Sequence, residues 1–392
     1  MKNIGLIYEY VQESKCKIKK ESPTGFCFEI NCSGNKIDGK SLYFIASKLK
    51  YILKKYPNFK LKIKLILNTI EFADKICILL LDALLYDLFM RTKYDVEIIL
   101  KKGDCGSIHF SNLVGFSNSA LYRTIQIKRS NCIDKETFIK EYRRPVFKGN
   151  AYRRLISKEQ LEDSYTPSKI LDEISTALSI VDSSSNQELD DFISSIAETV
   201  SELVCNVSSH TCDSDCLVDI NFKKIDNQFL VYIGIINFSK DRLFDKLKDN
   251  IENNIYPKKD KLYSKIYEAF DFHKSQVNKQ YKLEHFFMIT AFQNHVTSRF
   301  VKSGSNGTGL TTFIKSILGK TEENYSYVLS GNQIILFKDE YLNIANNEFI
   351  GFNKENDYVN CIPEKSIIGR SSLYIPGTIY NLCLIKEIQN NE

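Results

Sequence analysis

Long apolar runs, internal repeats and low-complexity tracts are all missing from this sequence of 392 residues. The most apolar stretch, Ile76 to Met90, contains Asp82 and Asp87 and is too short to span a bilayer, so we expect a buried helix and no membrane partner. The N-terminal stretch also lacks the apolar segment of a signal peptide. Eleven cysteines without such a segment favour reduced thiols and a cytoplasmic location.

The remaining composition is that of a soluble globular protein, with 43% hydrophobic and 26% charged residues, and the length suits two or three domains. The net charge of +5 is spread along the chain, and lysine runs such as Lys258–Lys261 are typical of solvated faces, which disfavours a nucleic-acid partner. Arg143-Arg144-Pro145 and Arg153-Arg154 are interpreted as a solvated linker, with contact to a phosphate or an acidic partner as the alternative.

Hydrophobic spacing predicts an α/β protein in three segments. Residues 1–110 alternate strands and helices, as a small α/β layer domain does, and residues 111–165 are predicted to connect it to the rest. Residues 166–392 combine helices with paired strands, which predicts a two-layer α/β sandwich. Near its end we predict two strands, Tyr325–Leu329 and Gln333–Phe337, joined by a turn.

A helix predicted for Gln187 to His210 carries a polar stripe that is separate from its core face. Glu198, Glu202, Asn206 and His210 recur at every fourth position. Such a stripe is usually only a solvent face. A carboxylate and a carboxamide one turn apart also suit a magnesium nucleotide, because an Asn oxygen is a hard ligand for Mg²⁺ and a Glu can orient or deprotonate water.

A glycine-rich segment, SGSNGTGL from Ser303, runs into a second apolar repeat at helical spacing. Glycines before a helix let unpaired N–H groups and the positive end of the helix dipole face one point, which suits a phosphate. An ordinary turn before a core helix is the alternative. A P-loop is excluded because Leu310 stands at its lysine position, and a dinucleotide fingerprint is excluded because Thr312 replaces its third glycine.

Together these motifs resemble the GHKL ATPases, the family of gyrase, heat-shock chaperones, histidine kinases and mismatch-repair ATPases. Glu202-Leu-Val-Cys-Asn206 is similar to the N-box, Gly304 to Leu310 to the second glycine box and lid, and Pro376-Gly377-Thr378 to the strand beside the adenine. The likeness covers about Thr166 to Ile385, in family order. It implies a Bergerat (GHKL) ATP-binding fold with ATP and Mg²⁺ as cofactors.

The resemblance also implies roles for individual residues. Asn206 would bind Mg²⁺, Glu202 would be the general base or water-positioning residue, and Thr378 would support the adenine. The residues implied around the phosphates and in the lid are Arg299, Lys302, Gly304, Gly307, Thr308, Gly309 and Leu310.

One departure from the family is that its first glycine box, Asp-x-Gly-x-Gly, is missing. Asn237 stands where the adenine-reading Asp is expected, and a carboxamide donates as well as accepts hydrogen bonds, so base recognition is expected to be altered. No dimerisation hairpin with a phosphorylatable histidine precedes the ATP segment, which disfavours a conventional histidine kinase.

Residues 1–110 resemble, by pattern and by Phe72-Ala73-Asp74 at the start of a helix, the STAS-like domains found beside bacterial signalling ATPases. The combination implies a bacterial signalling or antiviral (phage-defence) ATPase whose lid closure controls a protein partner or its own N-terminal domain, with a homodimer as one form. The alternatives are a Ser/Thr kinase resembling the anti-sigma-factor kinases and an interaction module that does not bind nucleotide. Cys205, His210, Cys212 and Cys216 also lie close enough in sequence to suggest zinc, although their spacing matches no familiar finger.

Overall fold

The computed structural model describes residues 3–20, 26–67, 72–100, 118–148, 150–179, 187–210, 215–225, 227–296, 309–322, 325–343 and 349–387. Within them the chain is a mixed α/β protein built on a five-stranded and a six-stranded sheet, as the α/β class predicts. None of the helices in these ranges has the length and apolarity needed to cross a bilayer.

The five-stranded sheet belongs to the N-terminal half and has the strand order β1-β2-β4-β6-β7. Strands β2, β4 and β6 are parallel, and β1 and β7 are antiparallel to their neighbours. The strands are β1 (Lys17–Lys20), β2 (Phe26–Cys32), β4 (Lys62–Leu67), β6 (Asp95–Leu100) and β7 (Cys132–Ile133), while β3 (Lys36–Ile37) and β5 (Phe72–Ala73) form a separate pair. The helices are α1 (Ile7–Tyr10), α2 (Gly39–Lys55), α3 (Lys75–Arg91), α4 (Ala120–Lys128) and α5 (Lys135–Arg143).

The six-stranded sheet belongs to the C-terminal half, is antiparallel throughout and has the order β12-β13-β11-β10-β9-β8. The strands are β8 (Val146–Lys148), β9 (Ala151–Ile156), β10 (Cys216–Ile225), β11 (Gln228–Asn237), β12 (Tyr327–Leu336) and β13 (Ile368–Glu387). The helices are α6 (Lys158–Leu161), α7 (Thr166–Ser179), α8 (Gln187–His210), α9 (Asp245–Glu252), α10 (Lys261–Ser275), α11 (Leu283–Ala291) and α12 (Gly309–Ile317).

Both faces of the six-stranded sheet are covered. On one face Val218, Ile235 and Tyr380 share a core with α7, α8 and α12. On the other face the alternate residues, among them Leu217 and Ile236, share a second core with α2 and α3. The sheet is therefore buried on both sides, and the two-layer sandwich that the sequence predicts gains a third layer from the N-terminal half.

Helix α3 is the element that the second core encloses most completely. Every residue from Lys75 to Phe89 is buried, because the helix contacts the six-stranded sheet on one side and α2 and α5 on others. A helix that is apolar all round is stable only in such a place. The buried helix predicted for Ile76 to Met90 is thus present, with Asp74 as its N-cap, accepting a hydrogen bond from the N–H of Cys77.

The interpretation of Arg153 and Arg154 as part of a solvated linker is wrong. The described part of residues 111–165 forms helices and strands, and Arg153 lies fully buried in β9. Its guanidinium contacts the carboxylates of Asp82 at 3.1 Å and Asp219 at 3.4 Å, and Arg154 pairs with Glu173. A buried charge is stable when it is paired in this way.

A second cation completes this buried network and joins the two halves of the chain. The Nζ atom of Lys75 in α3 lies 2.5 Å from Asp219 Oδ1 and donates to Asn221 Oδ1, both in β10. Burial lowers the pKa of Lys75. The N-terminal half therefore contributes a second cation, beside Arg153, to the buried carboxylate of Asp219 in the C-terminal sheet.

The hairpin predicted near Ser330 is also wrong, because β12 is one continuous strand. The turn-forming residues Ser330 to Asn332 lie within it, where the pairing between β12 and β13 shifts register. Ser330 faces Thr378, whereas the next residue, Gly331, faces Ile375. The extra residues of β13 form a bulge, so the residues that the sequence suggested as a turn remain within strand β12.

Candidate functional site

Helix α8 begins and ends at the residues that its periodicity predicts. Along its polar stripe Glu198 is exposed, whereas Glu202 and Asn206 are half-buried. The Nδ2 group of Asn206 donates a hydrogen bond of 3.4 Å to Glu202 Oε1, which directs the Asn206 carbonyl oxygen elsewhere. The two residues therefore form a partly sheltered carboxylate and carboxamide pair rather than a fully solvated face.

Helix α12 packs along the same side of α8. The hydroxyl of Thr199 donates to that of Ser316 at 2.6 Å, and Lys320, just beyond α12, donates to Ser195 at 3.3 Å. The Lys320 ammonium also lies 5.9 Å from the ring of Phe192. Because later residues of one segment meet earlier residues of the other, the two helices are antiparallel.

This pairing fixes what lies beside the carboxylate and carboxamide pair. Asn206 follows Thr199 by seven residues and lies on the same side of α8, since seven residues make nearly two turns. Gly309 precedes Ser316 by the same number, so both positions lie roughly 10 Å along the axis from the Thr199–Ser316 contact, in the same direction. The first residue of α12 is thus level with Asn206, and the glycine-rich segment enters there.

The end of β11 and the middle of β13 face this region. Asn237 closes β11 and pairs with Thr378 of β13 on one side and with Cys216 of β10 on the other. Only five residues separate Cys216, the first residue of β10, from the end of α8, so β10 begins and β11 ends close to the end of α8. Asn237 and Thr378 are both buried, and strand alternation puts them on the face of Ile235 and Tyr380, which pack against the helices.

Gly377 allows β13 to approach the end of β11 closely. It has a φ of +88°, and a Cβ atom there would lie 2.0 Å from the carbonyl oxygen of Asn237 and 2.7 Å from the amide nitrogen of Ser239. A side chain at this position would displace Asn237 from Thr378. The glycine of the Pro-Gly-Thr motif is therefore needed for close approach of two backbones.

Ser330 is a residue of this region that the sequence did not indicate. Its hydroxyl donates to the carbonyl oxygen of Gly377 at 2.7 Å, accepts from the amide of Leu243 at 2.9 Å and lies 3.5 Å from the Thr378 hydroxyl. Strand periodicity across residues 327–336 could have found it, but its turn-like neighbours predicted a loop.

Several predicted site residues lie outside the described ranges: Arg299, Lys302, Gly304, Gly307 and Thr308. Leu310 is half-buried and packs against the core. Of the suggested zinc ligands, Cys212 lies outside the described ranges, Cys216 is fully buried and Cys205 is half-buried. In the described part of the chain, no three His, Cys, Asp or Glu side chains are grouped so that they could hold a metal ion.

Comparisons with known proteins do not assign the chain to a family, so its class is described from the fold. No family model matches the chain, and no match is found among curated proteins or solved structures. The class is that of a mixed α/β protein with two main sheets, in which a half-buried Glu and Asn pair, a helix N-terminus, the end of β11 and the middle of β13 lie at one end of the helical face.

Proposed function

We propose that this chain is a GHKL-type protein that binds Mg-ATP where the end of α8, the start of α12, the end of β11 and Thr378 in the middle of β13 meet. The proposal rests on one observation above all. Glu202 and Asn206 continue the side of α8 that contacts α12, and they reach the level of Gly309, where the glycine-rich segment arrives.

The chemistry of these residues fits a magnesium nucleotide. The Asn206 carbonyl oxygen and the Glu202 carboxylate are hard oxygen donors, the type of ligand that Mg²⁺ prefers. Two such ligands would leave the other coordination positions of the ion for water and phosphate oxygens. The first N–H groups of α12 have no partner within the helix and suit the phosphates, together with Gly304 and Gly307. Bound ATP would supply the phosphoryl group, and Glu202 would orient the attacking water or accept its proton.

Asn237 and Thr378 are proposed to contact the base. They are buried side by side across two strands, beside a glycine that leaves no space for a side chain. Closure of the segment that contains Arg299 and Lys302 over the phosphates would then change how a protein partner is held, in a bacterial signalling or defence process. The N-terminal half covers the opposite face of the same sheet and is a candidate for the same control.

The test compares two glutamates of one helix. Purified protein should bind ATP with Mg²⁺ in calorimetry and release phosphate. Glu202→Ala should reduce phosphate release by about 10²-fold or more while binding persists, whereas Glu198→Ala, one turn away and exposed, should leave both unchanged. Asn206→Ala should abolish the magnesium dependence of binding. Absence of binding at millimolar ATP, or equal effects of the two glutamate variants, would contradict the proposal.

A second candidate is an interaction module that binds nucleotide weakly or not at all. It is favoured by Asn237, which stands where the related ATPases carry an Asp. Calorimetry that detects no nucleotide while circular dichroism reports an intact fold would support it. Transfer of labelled phosphate from ATP to protein, rather than to water, would instead indicate the kinase alternative.

A further inference from the structure

A cavity of about 470 Å³ lies between the two halves of the chain, on the face of the six-stranded sheet opposite to α8. The start of α2 and the start of α3 form one wall, and β12 and β13 form the other. The space is open to solvent on one side, so it is a cleft between the halves and not an interior void. Its volume lies within the range of small-molecule sites, about 300–1,000 Å³.

The lining of the cavity is ordered from an apolar interior to a charged mouth. Six apolar residues of the lining are buried, namely Leu42, Ile76, Leu80, Leu329, Leu373 and Ile375. At the mouth, Lys40, Arg370 and Ser372 are exposed. Asp38 also lines the cavity, but its carboxylate accepts the N–H groups of Lys40 and Ser41 as the N-cap of α2. The exposed side chains at the mouth are therefore cationic or hydroxyl, and the Arg370 guanidinium also donates to the Asn332 amide oxygen at 2.8 and 2.9 Å.

An acceptor lies where the two halves meet along the wall. The carboxylate of Asp74 in the N-terminal half accepts the hydroxyl of Tyr327 in β12, at 3.1 and 3.2 Å to its two oxygens. Asp74 also accepts the N–H of Cys77 at 3.2 Å. Burial raises the pKa of this carboxyl group.

We infer that this cavity is a binding site for a compact, mainly apolar organic molecule, with a hydrogen-bond donor directed at Asp74 and an anionic group at the mouth beside Lys40 and Arg370. Few convergent polar groups on an apolar lining are typical of small-molecule sites. Such a ligand would bridge α2 and α3 to β12 and β13, so that its binding would stabilise the contact between the halves. This inference does not depend on nucleotide binding.

The test uses the fluorescent dye anilinonaphthalene sulfonate, which combines aromatic rings, an N–H donor and an anion. Gly39 lines the mouth, and a Cβ atom there would lie 3.5 Å from the Ser371 hydroxyl, an ordinary contact, so the side chain of Gly39→Phe should narrow the entrance. Gly34→Phe is the matched control, because its Cβ atom would meet only one backbone atom, at 3.9 Å. The full-length wild type should bind the dye saturably, Gly39→Phe about tenfold more weakly, and Gly34→Phe like the wild type.

Ser372→Phe narrows the mouth from the other wall and gives an independent second variant, with thermal unfolding as the check that each protein is folded. Three results would overturn the inference: no saturable dye binding by the wild type, undiminished binding by both narrowed variants, or displacement of the dye by Mg-ATP. The last result would assign the dye to the nucleotide site. Dye binding that persists without any nucleotide binding would support the cavity while the proposed ATPase function fails.

Discussion

Replacing Gly377 with alanine tests whether close backbone contact holds β13 against the end of β11 in the candidate site. Two contributions to the loss in free energy of unfolding are expected. A positive φ disfavours alanine by about 1 kcal/mol, and a Cβ atom 2.0 Å from the Asn237 carbonyl oxygen forces the backbone apart, which by comparison with overpacked cores costs about 2 kcal/mol more. We expect Gly377→Ala to lower the free energy of unfolding by about 3 kcal/mol.

Gly319 provides the matched control. Its φ of +73° is similar, but a Cβ atom there would have no atom within 4 Å, so Gly319→Ala should lose only about 1 kcal/mol. Urea unfolding followed by circular dichroism measures both losses. Equal losses in the two variants would refute the reasoning, because the conformational term alone would then account for both. ATP calorimetry on the same proteins should show weaker binding only for Gly377→Ala.

The remaining predictions concern buried ionisable groups. Lys75→Met should lower the free energy of unfolding by about 3 kcal/mol in urea titrations, since Asp219 keeps only Arg153 as a partner, while exposed Lys40→Met should change little. Burial lowers the pKa of His273 from 6.5 to about 4, so the unfolded chain binds a proton between these values and the folded chain does not. Stability should therefore fall as the pH is lowered from 6.5 to 4, by at most about 3 kcal/mol, and the fall should be shallower for His273→Gln in thermal melts.

The helices α3 and α8 could be predicted because each has a clear pattern of apolar residues. The apolar run of α3 has no polar face, so it had to be buried, and α8 shows a regular period that ends at His210. The spacing of Glu202 and Asn206 likewise indicated a pair on one side of a helix. That spacing could not show how α12 pairs with α8, because the contact between Thr199 and Ser316 joins residues 117 positions apart.

Strand β9 was missed because its local sequence is misleading. Arg153 and Arg154 look solvated, and the carboxylates that neutralise Arg153 lie 71 and 66 residues away in the chain. The position of Ser330 was predicted wrongly for a related reason. Its turn-forming neighbours favoured a loop, whereas in the structure they lie within β12, opposite a bulge in β13. In both cases, pairing between residues far apart in the chain determines the structure, and a short window of sequence carries no information about that pairing.

The enclosure of α2 and α3 between the two sheets has a practical consequence for anyone dividing this polypeptide. Severed from its N-terminal half, the larger sheet would present Leu217, Ile236 and Ile379 to water and leave the carboxylate of Asp219 without its lysine. Exposed apolar surface of that kind promotes aggregation. We therefore expect the two halves to be stable only when they are expressed and purified as one chain.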